Sequence, residues 1–125
     1  MKILVVDDEP MIVKMVEARL QADGFEVITA YDGLEALAVA RRESPDLIIL
    51  DLMLPKMDGF KVCAMLKHDQ KYMKIPIIMF TAKTQESDKK LGFECGADAY
   101  ITKPFDPDIL IAKIKELIKE KGSSS

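Results

Sequence analysis

The chain has no tryptophan, a single histidine and only two cysteines among its 125 residues. The histidine, His68, lies in the polar stretch Lys67-His68-Asp69-Gln70-Lys71, which suits a solvated surface residue better than a ligand or base. Cys63 and Cys95 stand far apart and make no C-x-x-C pair. That excludes a thioredoxin-type motif and reads as two reduced thiols of a cytoplasmic protein. Apolar runs are short, and none approaches the ~18 residues that a membrane span requires. Met1 leads straight into Lys2 and a strand, without the basic start and long apolar stretch of a signal peptide. The glycines never assemble into G-x-G-x-x-G. After the first strand comes Asp7-Asp8-Glu9-Pro10, whose charge repels a pyrophosphate or a flavin phosphate. Positive charge is not in excess either. The net charge of −3 argues against a nucleic-acid surface.

Against these absences stands the unbroken apolar run Leu47-Ile48-Ile49-Leu50, which ends abruptly in Asp51. Opened by Ser44-Pro45-Asp46 and closed by Pro55, it predicts a central strand buried on both faces. Residues 2–7 predict a second strand, running into Asp7-Asp8. A helix should begin at Pro10, with Met11, Ile12, Met15, Val16, Arg19 and Leu20 at helical spacing and Gly24 as a left-handed cap. A strand over 25–30 follows. The next helix is capped by Asp32, with Glu35 completing a capping box and Leu34, Leu37, Ala38 and Arg41 continuing it to about Glu43. A helix over about 60–67, a strand over 75–80 and a thinly apolar helix over about 84–92 come next. A strand over 97–102 precedes a last helix, capped by Asp106 with Pro107 at its first position. Ile109, Leu110, Ile114, Leu117 and Ile118 form its stripe. Five strands alternating with five helices imply an α/β fold, a parallel sheet covered on both faces. Residues 1–121 read as one domain and 122–125 as a flexible tail.

Strands of such a sheet deliver their last residues to a crevice at their carboxyl ends. Here those ends present Asp7 and Asp8, Asp51, Thr81 and Lys103. Three clustered carboxylates repel one another and require cations. Oxygen ligands with few protein groups suit Mg²⁺, with Mn²⁺ as an alternative. One divalent ion and Lys103 bring three carboxylates to zero net charge. Metal, ammonium and hydroxyl around one carboxylate are the parts that stabilise a transferring phosphoryl group. Asp51, at the end of the central strand, is the candidate nucleophile, and the Asp7-Asp8 pair suits the metal. A dehalogenase-type phosphatase needs a second Asp where this chain has Met53.

The sequence resembles the receiver domain of two-component response regulators, the CheY-like superfamily. The resemblance rests on Leu4-Val5-Val6-Asp7-Asp8-Glu9-Pro10, on Asp51-Leu52-Met53-Leu54-Pro55-Lys56-Met57-Asp58-Gly59, and on Phe80-Thr81-Ala82. Gly96-Ala97-Asp98-Ala99-Tyr100 and Lys103-Pro104-Phe105 complete it, over residues 3–118. It implies a flavodoxin-like doubly wound sheet of strand order 2-1-3-4-5. It implies that Asp51 accepts a phosphoryl group from a histidine kinase or phosphotransfer protein. Asp8 would hold Mg²⁺ directly, Asp7 mainly through water, and Met53 through its backbone carbonyl. Lys103 would pair with a phosphoryl oxygen, next to a cis Lys103–Pro104 peptide. Thr81 and the Ala82 backbone N–H would contact the phosphoryl group, and Tyr100 would be the switch aromatic. Met53 and Lys83 would tune the phosphoryl lifetime. The implied protein is a signalling switch rather than an enzyme on other substrates. Its output face is the helix at 84–92, the fifth strand and the last helix, acting as a monomer or as a phosphorylation-dependent homodimer. A receiver from a longer DNA-binding regulator and a degenerate receiver used only for protein binding are the alternatives.

Overall fold

The computed structural model describes residues 1–82, 96–103 and 105–123. The helix expected over 84–92, Lys83, Cys95 and Pro104, hence the Lys103–Pro104 peptide, lie outside the described residues. The described elements run β1 (Lys2–Val6), α1 (Pro10–Ala22), β2 (Glu26–Ala30), α2 (Gly33–Glu43), β3 (Leu47–Asp51) and α3 (Gly59–Lys67). They continue as β4 (Ile77–Ala82), β5 (Ala99–Lys103) and α4 (Pro107–Ser123). The α4 helix thus extends through Gly122 and Ser123, into the stretch expected to be a tail.

The strands form one parallel sheet in the order β2-β1-β3-β4-β5, with Val5 opposite Ile49 and Asp51 opposite Phe80. Strand β3 is buried at all five positions, as its unbroken apolar run predicts. Alternation along the strands sorts their side chains into two cores. Leu4, Val6, Ile48, Leu50, Ile77 and Met79 face α2 and α3. Ile3, Val5, Leu47, Ile49, Ile78 and Phe80 face α1 and α4. Each fully buried aliphatic side chain contributes about 1.5–3 kcal/mol.

Caps set the helix starts. Asp32 accepts a hydrogen bond from the Glu35 N–H at 2.8 Å, while the Glu35 carboxylate reaches the Tyr31 N–H at 3.1 Å. The box therefore closes one residue outside the cap. Asp58 accepts from the Lys61 N–H at 2.9 Å and Asp106 from the Asp108 N–H at 2.8 Å. Gly24 takes the left-handed conformation, with φ of 92°.

The described helices fall where expected, and packing settles which face each one buries. In α1, Met11 is 83% exposed and Met15 is also exposed, while Val13, Val16 and Leu20 are buried. In α2, Leu34 and Ala38 face solvent, and the small residues Ala36 and Ala40 face the sheet with Leu37 and Val39. In α4, Ile109 is exposed and Ile111 buried. Each helix carries apolar residues around more than half its circumference, so periodicity alone leaves the face free to rotate. Close packing on a flat sheet then selects compact side chains. Among the described residues, no helix is long and apolar enough to cross a membrane.

Candidate functional site

Alternation also decides which polar residues share a face at the sheet's carboxyl edge. Asp51 continues the side of Leu47 and Ile49, Asp7 that of Ile3 and Val5, and Lys103 that of Ala99 and Ile101. The three meet. The Lys103 Nζ donates to Asp7 Oδ2 at 2.8 Å and to Asp51 Oδ2 at 3.2 Å. Asp7 is fully buried, Asp51 nearly so, and Asp8 is exposed. One carboxylate oxygen from each of Asp7, Asp8 and Asp51 falls within 4.8 Å of the others.

The second oxygen of each buried carboxylate accepts from backbone. Asp7 Oδ1 accepts from the Glu9 N–H at 3.0 Å, and Asp51 Oδ1 accepts from the Met53 N–H at 3.2 Å. These bonds fix both carboxylates before any ligand arrives. The site is electrostatically unfinished: three carboxylates and one ammonium leave a charge of −2. Burial, then the charge of Asp7, push the Asp51 pKa up to about 6, against the pull of Lys103 and the Met53 N–H. Burial acts to lower the Lys103 pKa, but its bond to Asp7 and the nearby Asp51 charge leave it raised. Oxygen-only donors carrying two surplus negative charges fit a hard divalent cation such as Mg²⁺ or Mn²⁺.

Thr81 is buried on the neighbouring strand, one residue beyond the partner of Asp51. By alternation it belongs to the opposite side of the sheet, with Met79. Tyr100, half-buried, packs against that same side and lies one diagonal step from Thr81 in the β4–β5 register. Thr81 and Tyr100 are thus diagonal neighbours, at the strand ends that adjoin Asp51 and Lys103. Ala82 pairs with Lys103 at the end of the two strands. Met53 is exposed in the loop after Asp51.

Two glycines escaped the reading of the sequence. A Cβ on Gly59 would collide with the Asp51 carbonyl oxygen, and one on Gly33 with the Met57 carbonyl oxygen. Both open helices, behind Asp58 and Asp32, where a residue with better helix propensity would otherwise stand. That unfavourable choice, made twice, was the available signal. The Gly59 N–H donates to the Leu52 carbonyl at 2.9 Å, so α3 starts directly against the backbone that carries Asp51. Gly59→Ala is expected to lower stability by about 1–3 kcal/mol, the cost of overpacking a rigid contact. A urea midpoint unchanged from wild type would contradict this contact.

The comparisons with known proteins agree with this geometry. The family model described as response regulator receiver domain matches residues 3–115. The alkaline phosphatase synthesis transcriptional regulatory protein PhoP of Bacillus subtilis is 52% identical over 118 residues, covering 94% of this chain and 48% of that protein. The chain thus spans about half the length of the curated relatives it matches. A response regulator structure from Chloroflexus aurantiacus superposes with a TM-score of 0.91 at 36% identity, over 94% of this chain and 97% of that one. The receiver domain of a sensor histidine kinase from Pseudomonas aeruginosa, described with a magnesium ion coordinated in its active-site cleft, gives 0.87 at 30% identity. It covers 94% of this chain and 97% of that one. With sheet order, acidic cluster and sequence in agreement, the chain belongs to the response regulator receiver domain family of two-component signalling.

Proposed function

We propose that this domain is a phosphorylation switch whose acceptor is Asp51. The supporting observation is the buried Asp51 carboxylate, ion-paired to Lys103 at 3.2 Å within an acidic cluster that lacks two positive charges. A phosphohistidine of a histidine kinase or phosphotransfer protein is the donor. An Asp51 carboxylate oxygen attacks phosphorus, the P–N bond breaks, and the imidazole leaves with its electron pair and takes a proton from solvent. Asp7, Asp8, Asp51 and the Met53 backbone carbonyl hold Mg²⁺ or Mn²⁺. When bound, the ion neutralises the carboxylates and the charge developing on the phosphoryl oxygens. Lys103 exchanges its bond to Asp51 for one to a phosphoryl oxygen, and the Thr81 hydroxyl and Ala82 N–H serve the others. Engagement of Thr81 leaves room for Tyr100, its diagonal neighbour, to turn inward, which carries the change to the surface around β5 and α4. Met53, exposed beside the acceptor, and Lys83 set how readily water reaches the acyl phosphate.

The chemistry is confined to the domain's own phosphorylation and dephosphorylation, in the cytoplasm. The output is a partner protein or an attached domain. The relatives it matches are about twice as long, and PhoP is named as a transcriptional regulator, which favours a DNA-binding output through a longer protein.

Intact-mass measurement after incubation with acetyl phosphate and Mg²⁺ tests the proposal. The expected result is a gain of one phosphoryl group, labile to base and to hydroxylamine; no gain under saturating donor rejects it. Lys103→Ala is expected to leave Mg²⁺ binding intact or tighter, because it removes a competing cation, while slowing uptake by roughly 10- to 100-fold. Calorimetric Mg²⁺ titration together with the uptake rate checks this, and loss of Mg²⁺ binding would contradict it.

A further inference from the structure

Lys103 is a flexible cation that must occupy one place. Its unbranched stem loses rotamer entropy when fixed, and an ammonium is a point charge without a preferred direction. Its bonds to Asp7 and Asp51 hold it only while those carboxylates keep their present charge balance. Phosphorylation of Asp51 changes that balance, so a cation anchored by ion pairs alone would lose its reference position at the moment it is needed.

An uncharged anchor lies beneath it. The Lys103 ammonium sits over the Phe80 ring, 5.9 Å from the centroid. Phe80 is fully buried and its backbone pairs with Asp51. The Phe105 ring stacks on Phe80 with centroids 4.8 Å apart and planes inclined by 21°. An aromatic face carries negative quadrupole density that attracts an ammonium, whatever the state of the neighbouring carboxylates. Phe105 is half-buried and follows Lys103 by two residues. It lines, with Lys103, Glu9, Ile12 and Met15, a surface depression of about 450 Å³.

We propose that the stacked rings of Phe80 and Phe105 form a positioning platform for Lys103, in which Phe105 holds the Phe80 ring against the ammonium. Phe105 is a positioning residue and touches none of the reacting atoms. The consequence for rate rests on Asp51 being the acceptor; the placement of Lys103 does not.

Lysine-selective ¹³C labelling of the full chain and NMR test this, with the Lys103 signal assigned by its loss in Lys103→Arg. In wild type, the ε-methylene protons of Lys103 are expected upfield of the other lysines through the Phe80 ring current. Phe105→Leu, which keeps apolar bulk and removes the stack, should return them at least halfway toward the other lysines. It should slow uptake from acetyl phosphate by about 2- to 30-fold, the range set by one cation–aromatic contact. Phe105→Tyr should restore both shift and rate. An unmoved Lys103 signal in Phe105→Leu overturns the platform, as does a Phe105→Tyr variant as impaired as Phe105→Leu. If wild type takes up no phosphoryl group while the shifts behave as expected, the acceptor assignment fails and the platform stands.

Discussion

Asp51→Asn abolishes phosphoryl uptake, a loss of roughly a thousandfold or more, and at the same time stabilises the metal-free protein. The first effect follows from removing the nucleophile while keeping its shape. The second follows from the electrostatics. Asp51 is held by Lys103 and the Met53 N–H, yet burial and the Asp7 charge raise its pKa to about 6, above the ordinary carboxylate value of 3.8. A carboxylate with a raised folded-state pKa binds its proton more tightly folded than unfolded. Its ionised form therefore costs stability, fully so above pH 6 and not at all below about pH 4. Asparagine removes that cost, and with solvent screening the gain at pH 7.5 is about 1 kcal/mol. Thermal unfolding in EDTA at pH 7.5 and at pH 4 measures it. A variant less stable than wild type at pH 7.5 would show that the Lys103 bond outweighs burial and repulsion.

Chelation of divalent cations stops uptake in wild type, and restoring Mg²⁺ or Mn²⁺ recovers it. The acidic cluster predicts this through charge alone. The fully buried Asp7 and the nearly buried Asp51 share one ammonium, and the exposed Asp8 adds a third carboxylate within 4.8 Å. An incoming phosphoryl group brings still more negative charge. The same ion stabilises the fold, by about 2.7 kcal/mol at a hundredfold excess over its dissociation constant. That gain should shrink sharply in Asp51→Asn. Unaltered uptake in EDTA, or equal Mg²⁺ stabilisation of both proteins, would remove the metal from the account.

The part of this molecule legible in its sequence is the part written as contrast. Strand β3 announces itself because four apolar residues end in a charge. The convergence of Asp7, Asp8, Asp51 and Lys103 follows once the strands are parallel, since all their carboxyl ends share one edge. Helix starts at Asp32 and Asp106 were legible because a side-chain oxygen has one local partner, the N–H of the first turn. What stayed hidden depends on distance across the fold. Helical spacing leaves the buried faces of α1 and α2 open, because Met11, Leu34 and their neighbours are apolar on several sides, and packing rather than periodicity chooses Val13 and Ala36. The approach of Gly59 to the Asp51 carbonyl and the stacking of Phe105 on Phe80 join residues of different elements, so no local pattern encodes them. The β4–β5 register shows in addition that Thr81 and Tyr100 are diagonal neighbours.

The central claim is that one carboxylate, Asp51, takes the phosphoryl group although Asp7 and Asp8 lie beside it. Borohydride reduction of the phosphorylated protein converts an acyl phosphate to an alcohol and marks the residue permanently. Tandem mass spectrometry of a tryptic digest then locates the mark. The account predicts it on the peptide spanning 43–56, at Asp51, with none on the peptide that carries Asp7 and Asp8. A mark at Asp7 or Asp8 in wild type would contradict it.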